Sequence, residues 1–135
     1  MKLRKPLFLT LALCLLTACS VAEQPVNAGE ALDEFLKGSK KPAVLKFYAD
    51  WCASCKEYAP AYDKVSKELG STVDFYKIDI DQKKYKKLIK EIKISRIPDT
   101  IFVSEDRNNV TRQIGPLTTK ELKTKILELQ TAGIE

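Results

Sequence analysis

The chain contains no histidine and only one methionine, Met1. Zinc in a structural site takes four ligands, usually cysteine or histidine. Two of the four cysteines, Cys14 and Cys19, lie near the N-terminus, so a closed zinc site within the remaining chain is not a workable reading. Net charge is also modest. The formal value is +5, and loss of an N-terminal segment carrying Lys2, Arg4 and Lys5 would subtract those three positive charges and leave +2. So small a surplus does not argue for nucleic acid. The cluster Lys83-Lys84-Tyr85-Lys86-Lys87 reads as a solvated helix face. Long apolar runs are missing as well. The most continuous, Leu7 to Leu16, is too short to span a bilayer comfortably, which argues against a permanent transmembrane helix. There are no internal repeats and no low-complexity segments, and 135 residues allow one domain with a real core.

What the sequence does have is Trp51-Cys52-Ala53-Ser54-Cys55-Lys56, a Cys-x-x-Cys motif placed where a strand hands over to a helix. Ala43 to Ala49 reads as a buried strand. Tyr58, Ala61, Tyr62, Val65 and Leu69 then recur at helical spacing until Gly70. Cys52 is therefore expected at a helix N-terminus, where unpaired N–H groups and the positive end of the macrodipole favour a thiolate. A structural disulfide across two residues closes too small a loop to stabilise the fold much. Redox chemistry is the better reading, and it asks for no metal and no cofactor.

The first residues combine a basic start, an apolar run and the small residues Thr17 and Ala18 before Cys19, the pattern of a secretory signal. Leu16-Thr17-Ala18-Cys19 resembles the bacterial lipobox, in which cleavage precedes a cysteine that becomes lipid-modified. Residues 1–18 are thus expected to be a signal peptide, with Cys19 as a lipid anchor and 19–27 as a short tether. A domain over 28–135 follows. Cys52 and Cys55 then remain as the redox pair in a compartment where disulfides persist, the periplasm or the cell exterior. Ser20 after the anchor resembles outer-membrane sorting in cells with two membranes.

The domain opens with Asn27 as helix cap, Glu30 three residues on, and Ala31, Leu32, Phe35 and Leu36 on one face up to Gly38. Beyond Gly70, Val73 to Asp79 alternates as a strand, parallel to the first by right-handed crossover. Lys83 to Ile92 has helical spacing. Thr100 to Ser104 and Val110 to Ile114 flank a polar loop as a hairpin, ended by Gly115-Pro116. Thr118 and Glu121 form a capping box for the last helix, with Leu117 and Leu122 placed as a hydrophobic staple. The order is helix, strand, helix, strand, helix, strand, strand, helix, an α/β chain with a mixed central sheet and helices on both faces.

In that order, Phe47-Tyr48-Ala49-Asp50-Trp51-Cys52-Ala53-Ser54-Cys55-Lys56 and Ile97-Pro98 resemble the active-site and cis-proline segments of the thioredoxin family. The match covers about Ala28 to Gln130. Within the family the motif is similar to the periplasmic C-terminal domain of DsbD and to tethered thioredoxin-like proteins of photosynthetic membranes. The resemblance implies a thioredoxin-like fold and a thiol:disulfide oxidoreductase. In it Cys52 attacks, Cys55 resolves the mixed disulfide, and Trp51 shields the pair. Pro98 sits in cis beside the sulfurs, with the Ile97 backbone open to an incoming peptide. The implied direction is reduction of protein disulfides, with a membrane electron carrier of the DsbD or CcdA kind as donor.

The chain departs from that family in three places. Asp99 follows the proline where many relatives carry threonine, Ala53-Ser54 replaces Gly-Pro, and Lys46 stands where thioredoxins bury an aspartate. Strand alternation puts Lys46 on the face of Val44 and Tyr48, either inward beneath the active site or snorkelling to solvent. Two alternatives to an oxidoreductase are a Cu(I)-binding thiol carrier, disfavoured by the missing histidine and the scarcity of methionine, and a non-catalytic interaction lipoprotein.

Overall fold

The computed structural model describes residues 28–131. The expected signal peptide, Cys19, the tether and the Asn27 cap lie outside the described residues. Four strands form one sheet: β1 (Ala43–Tyr48), β2 (Asp74–Asp79), β3 (Asp99–Val103) and β4 (Val110–Ile114). Their order is β2-β1-β3-β4, with β1 parallel to β2, antiparallel to β3, and β3 antiparallel to β4. Four α-helices accompany them: α1 (Ala28–Phe35), α2 (Ala53–Leu69), α3 (Lys86–Glu91) and α4 (Thr119–Thr131).

The near-continuous apolar run of β1 calls for cover on both faces. Leu45 and Phe47 face α1 and α3, in a core with Leu32, Ile78, Ile92 and Ile101. Val44 faces α2 and α4 among Tyr58, Tyr62, Phe102, Leu122 and Ile126. The sheet is thus mixed and covered on both faces. The β4 edge is different: Thr111 and Arg112 are exposed and Gln113 half-buried, a polar margin that discourages pairing with another chain.

The last helix begins as its residues dictate. Thr118 N–H and Oγ1 both donate to Glu121 Oε2, at 2.8 and 2.7 Å, and Glu121 N–H returns a bond to Thr118 Oγ1 at 3.2 Å. Leu117 and Leu122, the staple pair, are both buried. Other boundaries shift from expectation. The strand expected from Val73 begins at Asp74, because Val73 N–H is engaged by the Leu69 carbonyl at the end of α2. The hairpin strand expected from Thr100 starts at Asp99 and ends at Val103. The helix expected over Lys83 to Ile92 is split into a 3₁₀ turn, Lys83–Tyr85, and the short α3. Gln82 caps that turn without a side-chain hydrogen bond, which leaves its first amides unsupported.

Gly70 follows α2, and a side chain there is disfavoured for a steric reason. Its φ of −62° is ordinary. A Cβ there would stand 2.7 Å from the Ser66 carbonyl oxygen, so any larger residue would have to displace the last turn.

Candidate active site

Asp50 and Trp51 turn the chain out of β1, and Cys52 then caps α2 with extended backbone angles, φ −88° and ψ 109°. Its N–H donates to the Ala49 carbonyl at 3.2 Å, and its carbonyl accepts from Lys56 N–H at 3.2 Å. The Cys55 N–H donates to Cys52 Sγ, also at 3.2 Å. Cys52 and Cys55 are joined as a disulfide, with their Cα atoms 5.2 Å apart. Of the two, Cys52 is the more open, 7% exposed against 3% for Cys55.

The Ile97–Pro98 bond is cis, the form the resemblance implies, and Pro98 is buried. Ile97 packs on the small cluster of Ala49, Cys52 and Cys55. Gly115, at φ +98°, donates its N–H to the Pro98 carbonyl at 2.8 Å and so ties the end of β4 to this loop. An L-residue at such an angle would be strained. Trp51 is 68% exposed. It is held by its indole N–H, which donates to Asp81 Oδ2 at 2.8 Å. Between these parts runs an open groove of about 410 Å³, mostly apolar, lined by Trp51, Ser54, Ile97, Pro98 and Ile114 among others. Asp81 was not singled out from sequence; its place just after a parallel strand, at the strand's C-terminal end, was the available signal.

Lys46 points inward. It is 2% exposed, and its Nζ lies over three tyrosine rings, 4.6 Å from the centroid of Tyr62, 5.3 Å from Tyr48 and 5.5 Å from Tyr58. Aromatic faces attract a cation through the ring quadrupole. Tyr58 stays a neutral phenol, since burial raises its pKa to about 12 against a lowering hydrogen bond from Thr100. The ammonium itself is pulled down to about 8, first by burial and then by Lys77, with Asp63 acting the other way. Lys77 stands opposite Lys46 in register on β2, and its Nζ pairs with Asp63 at 2.5 Å. Lys46 itself is in no ion pair among the described residues.

Asp99, the departure after the proline, is fully buried and held by Arg112. The guanidinium Nε donates to Asp99 Oδ2 at 2.8 Å and Oδ1 at 3.1 Å, and Nη2 donates to Oδ2 at 2.5 Å. The same guanidinium reaches the carbonyls of Ile92 and Lys93, at 3.5 and 3.3 Å. Burial raises the Asp99 pKa, while the hydrogen bonds and charge of Arg112 work to lower it. The residue after the cis-proline is thereby fastened both to β4 and to the end of α3. Nothing in the local sequence around either residue marks this pair.

The Thioredoxin family profile matches residues 24–128. Thioredoxin from Borreliella burgdorferi is 36% identical over 66 residues, 49% of this chain and 55% of that protein. A thiol:disulfide interchange protein TxlA homolog from Synechocystis is 26% identical over 108 residues, 80% of this chain and 57% of the relative. The chain thus spans a little over half the length of these two curated relatives. Among solved structures, chloroplastic thioredoxin z superposes with a TM-score of 0.66 at 22% identity, over 76% of this chain and 90% of its own. That last likeness is one of fold.

Proposed function

The chain belongs to the thioredoxin family, and from that premise we propose that it is a thiol:disulfide oxidoreductase which reduces protein disulfides outside the cytoplasm while anchored by lipid on Cys19. The observation that carries the redox reading is the placement of Cys52. Its sulfur caps α2 and accepts the Cys55 amide, Ile97 packs on the cysteine cluster, and the neighbouring Trp51, Ser54, Ile97 and Pro98 line an open groove. In the reduced protein the same amide and the helix N-terminus stabilise a Cys52 thiolate.

The reaction follows by balance of bonds and electrons. Cys52 Sγ⁻ attacks one sulfur of a substrate disulfide, forming a mixed disulfide and releasing the other sulfur as a thiolate. Cys55, deprotonated, then attacks Cys52 Sγ, closes the Cys52–Cys55 disulfide and releases the second substrate thiolate. Two electrons pass to the substrate, and its two thiolates take up protons. Ile97 supports the substrate segment, because its N–H and carbonyl make no backbone hydrogen bond among the described residues and are free for strand-like pairing. Trp51, held by Asp81, forms the opposite wall.

The direction and the anchor are supported by sequence. A lipobox-like Leu16-Thr17-Ala18-Cys19 precedes the domain, and a dithiol outside the cytoplasm needs a membrane carrier of the DsbD or CcdA type to renew it. The name of the Synechocystis relative, a thiol:disulfide interchange protein, accords with this reading. The test has two arms. The purified chain, reduced and freed of reductant, is mixed with an oxidised protein, and free thiols on each partner are counted. One Cys52–Cys55 dithiol is consumed per substrate disulfide, and none with Cys52→Ala. In the native cell the pair is found reduced; a fully oxidised pair there would reverse the direction.

A further inference from the structure

Three arginines fall among the described residues, and two are used internally. Arg112 binds Asp99 and the end of α3. Arg107 donates to the carbonyls of Ser39, Lys41 and Ser104 and closes the loop before β4. Arg96 is the exception. It is exposed, takes part in no hydrogen bond or ion pair with a described residue, and stands next to Ile97 on the groove. Among the described residues that line the groove it is the only charged one.

A guanidinium left unpaired at the rim of an apolar groove is a recognition group for a carboxylate, because its planar fork matches two oxygens at once. The surroundings reinforce that sign on one side only. Ile89 enters the same groove from α3, where Lys86 and Lys90 are exposed, and exposed Lys93 follows the helix. Lys87 is the α3 lysine neutralised by a partner, Glu34. The acids nearby are Glu91, exposed on α3 and acting on Lys87, and Asp81, engaged by the Trp51 indole. Lys86, Lys90 and Lys93 outnumber Glu91 here, so a carboxylate arriving with the substrate meets an excess of positive charge beside Arg96.

We propose that Arg96 is a specificity-determining residue, which selects protein segments carrying an acidic side chain within about two residues of the disulfide to be reduced. The proposal rests on the reading of Cys52 and Cys55 as a disulfide-exchange pair. Arg96 touches no reacting sulfur; it favours one class of encounter over another. Electrostatic complementarity of this kind acts chiefly on association and fades with salt.

The test uses the full chain, reduced, with three symmetrical disulfide dimers of a capped hexapeptide. They differ only in whether glutamate, glutamine or lysine flanks the cysteine. Second-order rate constants are read from the emission of the single tryptophan, Trp51, as the adjacent disulfide forms. The expected order is glutamate, glutamine, lysine, with steps of about threefold at low salt, the size of an exposed ion pair, converging near ~1 M salt. Arg96→Gln narrows the ratios between the three peptides and Arg96→Glu narrows them further or inverts them, each variant being compared as ratios within itself. Equal rates in the wild type, ratios unchanged in both variants, or an equal slowing of all three peptides would overturn the role of Arg96. No reaction with any peptide in the wild type would instead overturn the exchange reading itself, and the specificity with it.

Discussion

The Cys55 amide donates to Cys52 Sγ at 3.2 Å across the first turn of α2, so the cap of this helix is a sulfur atom. An anionic cap is stabilised there more than a neutral one, and the two cysteines therefore differ chemically although only two residues separate them. In the reduced chain the Cys55 amide and the helix N-terminus favour the Cys52 thiolate, which makes it the more nucleophilic of the two sulfurs. Iodoacetamide at limiting dose labels Cys52 ahead of Cys55, which peptide mass spectrometry reads directly. Labelling of Cys55 first would assign the nucleophile the other way.

Lys46 inside its three tyrosine rings predicts an unusual dependence of stability on pH. Its folded pKa lies near 8, against an ordinary value of 10.5. Between those values the unfolded chain binds more protons, so this group makes stability rise with pH there, and below about pH 8 its destabilisation is fully present. Lys46→Met is therefore more stable than wild type at neutral pH, by on the order of 2 kcal/mol. The advantage shrinks as pH climbs from 8 toward 10.5. Urea denaturation of both proteins at several pH values measures the difference, in which the tyrosine titrations common to both largely cancel. The same variant has a higher Cys52 pKa and a more negative reduction potential, because a buried positive charge that favours the thiolate is gone. Unchanged thiol values in a folded variant would confine Lys46 to a packing role.

The Asp99–Arg112 pair predicts a large asymmetry between single and double substitutions. Arg112→Met leaves a fully buried carboxylate with no partner and costs about 3–5 kcal/mol. Adding Asp99→Leu recovers much of that loss, since no charge then remains to be buried. The deficit of Arg112→Met also diminishes in acid. The folded Asp99 pKa is already raised by burial, so protonation removes the buried charge as pH falls through it. Equal deficits at neutral and acid pH would contradict this account.

The proposed lipid anchor is separable from the chemistry. If Cys19 carries the lipid as proposed, Cys19→Ala abolishes lipid attachment while the rate of disulfide reduction in solution is unchanged. Stable attachment needs more than one acyl chain, so the variant is released from membranes. A Cys19→Ala protein that still partitions wholly into membranes would overturn the anchor.

Much of the fold was legible because the signals were local. The strand-to-helix junction at Cys52, the capping box at Thr118 and Glu121, and the polar loop between β3 and β4 all lie within a few residues of the feature they specify. Alternation along β1 likewise put Lys46 on the face of Val44 and Tyr48. It left open whether that face was solvent or core, because Tyr58 and Tyr62 arrive from α2, and only the packed helix adds their two phenol rings to that of Tyr48 around one ammonium. Asp99 and Arg112 were illegible for a related reason. They meet diagonally across the β3–β4 register, in which Arg112 stands opposite Ile101, and neither local periodicity nor spacing marks that contact. Arg96 was passed over because its meaning lies in what it does not bind.

The measurement that bears most directly on the exchange chemistry is a pair of traps. Reduced Cys55→Ala is mixed with an oxidised protein substrate and analysed by non-reducing electrophoresis and mass spectrometry, beside Cys52→Ala. The account predicts a substrate linked to Cys52 in Cys55→Ala that persists because nothing resolves it, and no adduct in Cys52→Ala. Failure of Cys55→Ala to capture any substrate, or an adduct on Cys55 in Cys52→Ala forming at the same rate, would contradict it.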